Sequence, residues 1–122
     1  WLWDPRLGHA NKFELRNKTW DTPGVLAARG CRVSIITDAS HLSPKKYLAL
    51  CAGLAVKAGM VWFEALKAIT IHPLSILVWL TGSSLEAGKD ADIVVTDGNP
   101  FDIQTNILSV FIDGTQVFSC RE

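Results

Sequence analysis

Charge of one sign is what this sequence most lacks: Lys and Arg together number 12, Asp and Glu together number 12, and the formal net charge is +0. A balanced chain offers no electrostatic footprint to a phosphate backbone, so nucleic-acid binding is not expected. At 48% apolar residues it is no disordered acidic tail either. Long hydrophobic runs are also missing. No window reaches the roughly 20 apolar residues that span a bilayer, and Trp1-Leu2-Trp3-Asp4-Pro5 lacks the basic segment and long apolar stretch of a leader. Neither a membrane anchor nor a signal peptide is expected. Cysteines are few, namely Cys31, Cys51 and Cys120, and none forms a CxxC pair. They read as reduced thiols acting as small hydrophobes, which favours a cytoplasmic location. The glycines Gly82, Gly88, Gly98 and Gly114 are dispersed through turns, so no phosphate cradle is present. Five tryptophans without a basic patch are weak support for base stacking.

At 122 residues the chain is long enough for one core or part of one. Thr22-Pro23-Gly24 can open a helix with Thr22 as N-cap and Pro23 in the first turn, and Gly30 can close it in a left-handed conformation. Cys31 to Thr37 is a β-branched run with apolar residues on both faces, the pattern of a central, parallel strand. Ser43-Pro44 repeats the cap signal. Tyr47, Leu48, Cys51, Leu54, Ala55 and Ala58 then fall on one helical stripe that Gly59 should end. A second helix is predicted through Trp62, Ala65, Leu66 and Ile69. A third should start near Pro73 and carry Leu74, Ile76, Leu77 and Leu80. Beyond Thr81-Gly82 the pattern changes to short strands at Ala91 to Thr96, Ile107 to Ile112 and Thr115 to Phe118, the last two joined by Asp113-Gly114, a strong hairpin signal.

A carboxylate directly after a buried parallel strand, followed by a polar loop and a helix, stands where α/β barrels build active sites. Asp38 fits that description. Thr37-Asp38-Ala39-Ser40 can equally be a turn in which Asp38 bonds nearby amides, and position alone does not choose between the two. His9, His41 and His72 are too dispersed to form a metal constellation and read as exposed or hydrogen-bonded loop residues. His41, three residues after Asp38, is the one that could face the same pocket and contact substrate.

Several stretches together resemble a known family. They are Lys12-Phe13-Glu14-Leu15-Arg16-Asn17, Trp20-Asp21-Thr22-Pro23-Gly24-Val25-Leu26, Ile36-Thr37-Asp38, Tyr47-Leu48-Ala49-Leu50-Cys51-Ala52, Glu64-Ala65-Leu66-Lys67-Ala68-Ile69-Thr70, Ser84-Leu85-Glu86-Ala87-Gly88-Lys89-Asp90-Ala91-Asp92-Ile93-Val94 and Asp97-Gly98-Asn99-Pro100-Phe101-Asp102, closing with Val110-Phe111-Ile112-Asp113-Gly114. In this order they resemble the C-terminal part of metal-dependent amidohydrolases of the imidazolonepropionase-like and dipeptidase-like branch.

The resemblance implies an α/β fold: the last strand and helices of a (β/α)₈ TIM-type barrel over 1–82, then the C-terminal strands of a composite β-sandwich over 83–122. It makes Cys31 to Thr37 the eighth barrel strand. Asp38 becomes a metal ligand and the acceptor of a water proton in hydrolysis of amide, peptide or cyclic amide C–N bonds. The cofactor implied is a divalent metal, commonly zinc, whose other ligands in the family fall before Trp1. The sequence departs from the branch at Ala39, at His72-Pro73-Leu74 and at Val78 to Thr81. The expected partners are a small-molecule substrate and either the N-terminal remainder of the barrel or further copies in a homo-oligomer. The alternative is a non-catalytic module that folds only in such an assembly.

Overall fold

A computed structural model describes residues 2–3, 19–37, 47–76 and 84–120. The chain divides into two compact units, Trp1–Pro73 and Leu74–Glu122. The domain boundary expected at 82 lies outside the described residues.

The first unit opens with a β-α-β arrangement. Strand β1 (Leu2–Trp3) is followed by helix α1 (Thr22–Ala28) and strand β2 (Ser34–Ile35), and β1 pairs with β2 in parallel, Leu2 with Ser34 and Trp3 with Ile35. Parallel neighbours require a crossover between them, and the helix lies in the connecting stretch. The parallel strand expected from Val33, Ile35 and Ile36 is therefore present. The paired part is shorter than the seven-residue run from Cys31 to Thr37.

The cap of α1 differs from expectation by one residue. Asp21 precedes the helix without a side-chain cap bond, and its carbonyl accepts the Val25 N–H at 3.0 Å. Thr22 is already helical. Its hydroxyl turns back toward Thr19, 3.1 Å from the Thr19 Oγ1. The C-terminus behaves as predicted. Gly30 has φ 79°, the Gly30 N–H reaches the Ala27 carbonyl at 2.9 Å, and the Cys31 N–H reaches Leu26 at 3.0 Å. This pair of bonds satisfies helix-end carbonyls through a left-handed residue that glycine adopts without strain.

Helix α2 (Leu48–Lys57) ends by the same device. Gly59 has φ 107°, its N–H bonds the Val56 carbonyl at 2.9 Å, and the Met60 N–H bonds Ala55 at 3.0 Å. Met60 and Ala55 are both buried, so an apolar contact accompanies the polar closure. The Ser43-Pro44 cap lies outside the described residues. Tyr47 is 45% exposed, so the buried side of α2 is centred on Cys51, Ala52 and Ala55 and not on the full stripe from Tyr47.

Helices α3 (Trp62–Ile69) and α4 (Ile71–Ile76) follow. On α3 the buried residues are Ala65 and Ala68, whose small side chains let the helix approach its neighbours closely. Trp62 stays at the surface. Helix α4 begins two residues before the predicted Pro73. A proline in the first turn is tolerated there because that turn's N–H groups have no intrahelical acceptor.

Val33, Ile35, Cys51, Ala52, Ala55, Met60, Ala65 and Ala68 form the core of this unit. Val33 and Ile35 are exposed by 0% and 1%. Burying side chains of this kind stabilises by about 1.5–3 kcal/mol each. Gly24 lets α1 approach the turn after α2: a Cβ there would stand 3.1 Å from both the Met60 Cα and the Met60 nitrogen.

The second unit contains an antiparallel sheet of β3 (Ile93–Thr96), β4 (Ile107–Ile112) and β5 (Thr115–Ser119) in the order β3-β4-β5. Its strands lie within one or two residues of prediction. Val94 faces Val110, and Val110 faces Phe118. Asp113 and Gly114 have φ 50° and 74°, the paired positive values of a type I′ hairpin turn. The turn is fastened to the chain just before β3. The Gly114 N–H donates to the Ala91 carbonyl at 3.1 Å, and the Asp113 N–H donates to the Asp92 carboxylate at 3.0 Å.

Candidate active-site strand

The element with the strongest claim to chemistry is β2. Val33, Ser34 and Ile35 are all buried, so the strand is covered on both faces, as expected of a sheet interior. Its chain runs on through half-buried Ile36 and Thr37 into Asp38. Asp38 and His41 themselves lie outside the described residues. Ser34 contributes a buried Oγ that has no hydrogen-bond partner among the described residues.

His72, read with the other histidines as an exposed or hydrogen-bonded loop residue, is hydrogen-bonded but lies in a helix. His72 is half-buried in α4, and its Nδ1 stands 2.8 Å from the Val33 carbonyl oxygen. A carbonyl can only accept, so Nδ1 carries the proton in this contact. The bond ties α4 to the start of β2, five residues before Asp38. A partner 39 positions away has no local signature, so the residue read as a loop histidine is a helix residue with a long-range tether.

A second polar cluster sits between β3 and β4. The Asp97 carboxylate accepts the Asn106 main-chain N–H at 2.8 Å and the Asn106 side-chain amide at 2.8 Å. These two bonds to Asn106, the side-chain one first, hold the Asp97 carboxyl below the ordinary aspartate range. Thr105 Oγ1 donates to the Asn99 carbonyl at 2.6 Å, and the Phe101 N–H donates to Asn99 Oδ1 at 3.1 Å. Every one of these contacts is spent within the loop, which marks it as a connection that stiffens the sheet. The signal available in the sequence was the cluster of turn-forming residues from Asp97 to Asp102.

Among the described residues no group of three or more His, Cys, Asp or Glu side chains could hold a metal ion. Cys31, Cys51 and Cys120 are free thiols, respectively half-buried, buried and exposed. One carboxylate after β2 is too few donors to hold a divalent cation against water. The described residues thus hold no complete donor set for the divalent metal that the resemblance implies. No helix among them is long and apolar enough to cross a membrane.

Three comparisons set this geometry among known proteins. A model of the Amidohydrolase family matches residues 10–117. A crystal structure of an amidohydrolase from Thermotoga maritima MSB8 is similar at TM-score 0.88 and 32% sequence identity, covering 98% of this chain and 31% of that one. No curated protein matches the chain. The chain thus spans 31% of the length of its structural relative. A family model over most of the sequence, together with the like fold of that solved structure, leads to one conclusion: the chain belongs to the amidohydrolase family.

Proposed function

We propose that this chain is the C-terminal portion of a metal-dependent hydrolase of the imidazolonepropionase-like and dipeptidase-like branch, acting on C–N bonds of amides, peptides or cyclic amides. The observation that carries the reading is the doubly buried parallel strand β2 leading into Thr37-Asp38 in a chain of this family. In a (β/α)₈ barrel, active-site residues stand at the C-terminal ends of the strands. Asp38 follows such an end. With β2 as the eighth strand, Asp38 takes the role of a metal ligand and of a carboxylate that accepts a proton from the attacking water and returns it to the leaving amine. His41 is assigned to substrate contact.

Metal dependence, with zinc as the expected cation, belongs to this proposal and requires donors from outside these 122 residues. Assembly with the N-terminal remainder of the barrel or as a homo-oligomer, and a cytoplasmic location, belong to it as well. The test is Asp38→Asn in the full protein, assayed on dipeptides and cyclic amides with and without a chelator. The expected results are chelator-sensitive turnover in the wild type and a loss on the order of 10²–10⁴-fold in the variant, the range of a general acid-base group. Turnover indifferent to both the chelator and the substitution would sink the reading.

A further inference from the structure

We propose that His72 is a positioning residue: through its bond to the Val33 carbonyl it sets where β2 lies along its own axis, and so where the chain delivers Asp38. The inference rests on the reading of Asp38 given above. Its physical basis is that, among the described residues, few polar contacts fix the strand along its axis. The ladder between β1 and β2 has two paired positions, Leu2 with Ser34 and Trp3 with Ile35. The one hydroxyl on the strand, Ser34 Oγ, has no partner among the described residues and anchors nothing there. The His72 bond at 2.8 Å supplies a directional restraint from a different element.

That restraint is transmissible. Val33, Ser34 and Ile35 are exposed by 0%, 0% and 1%. Interiors are close-packed, and a strand so enclosed moves as a block without absorbing a slip locally. Asp38 follows Val33 by five residues in the sequence, and Ile35, the last residue of β2, by three. A misplacement of about 1 Å originating far from the reacting atoms can cost on the order of 10² in rate. His72 therefore acts through the backbone of β2, with no contact to substrate required.

Two variants of the full protein separate the tether from the ring. His72→Asn keeps an N–H donor near the place of Nδ1, while His72→Phe keeps a ring and removes the donor. The expected result is a fall in kcat per folded molecule of about 10–100-fold for His72→Phe, with KM little changed, and a return toward wild type for His72→Asn. Amide exchange should accelerate selectively at Ile36 and Thr37 in the Phe variant. Equal kcat per folded molecule in His72→Phe and wild type would overturn the proposal, and so would an Asn variant as impaired as the Phe one. If Asp38→Asn leaves turnover intact, the reading of Asp38 fails and the exchange pattern decides the tether by itself. Acceleration confined to Val33 and Ser34, or spread evenly over α2 and α3, then refutes it.

Discussion

The His72 imidazole and the Val33 carbonyl, 39 positions apart in sequence, meet at 2.8 Å with the ring nitrogen Nδ1 as donor. Because the acceptor has no proton to give, the neutral ring is held as its Nδ1–H tautomer. Long-range proton–nitrogen correlation spectra should show Nδ1 as the protonated nitrogen in the neutral ring. An Nε2–H pattern would show that the contact is not a hydrogen bond.

The same bond has a stability consequence. In His72→Phe the Val33 carbonyl, on a fully buried residue, loses this partner. Leaving such a group unsatisfied costs about 1–3 kcal/mol. Urea unfolding should report an unfolding free energy lower by that amount, read as a lower midpoint at an unchanged slope.

Asp97 gives the pH prediction. Its folded-state pKa is depressed by the two bonds from Asn106, so its contribution to stability is present above the unfolded-state pKa and is lost as pH falls through the folded one. A carboxyl-carbon titration should place Asp97 below the ordinary aspartate range. In Asn106→Ala the value should move back up toward it, and no movement would mean that Asn106 is not the cause.

Gly59 and Gly24 separate two reasons for a glycine. At Gly59 an added Cβ would meet nothing within 4 Å among the described residues, so Gly59→Ala is opposed by φ 107° and should cost about 1–2 kcal/mol. At Gly24 the backbone conformation is ordinary, and the obstacle is main-chain atoms of Met60 at 3.1 Å. Gly24→Ala should therefore lose about 1–3 kcal/mol by forcing α1 away from that turn. Thermal unfolding of both variants checks the pair; a stabilised Gly24→Ala would show that the gap can open freely.

Local chemistry made much of the fold legible. Gly30 and Gly59 marked two helix ends because the left-handed residue and its bonds are encoded within a few positions. Asp113-Gly114 marked the hairpin for the same reason. The buried parallel strand was visible in the two-sided apolar run around Val33 and Ile35. What escaped was either a competition among adjacent residues or a long-range partner. Asp21 and Thr22 both suit a helix start, and Thr22 is drawn back to Thr19 instead of capping. His72 bonds an atom that no spacing rule could nominate. Of the candidate site, the strand was legible and its tether was not, while Asp38 and His41 lie outside the described residues.

The two sheets differ in how soon they can form. Strands β4 and β5 are joined by a two-residue turn, and such hairpins close within about 1–10 μs. Pairing Leu2 with Ser34 brings together residues that flank the whole of α1, so the chain entropy of that closure comes before any of its bonds reward it. The parallel pair that leads into Asp38 should therefore be a late event in folding. Substitutions in β2 should mainly accelerate unfolding, whereas substitutions in the Asp113-Gly114 turn should slow the formation of its sheet.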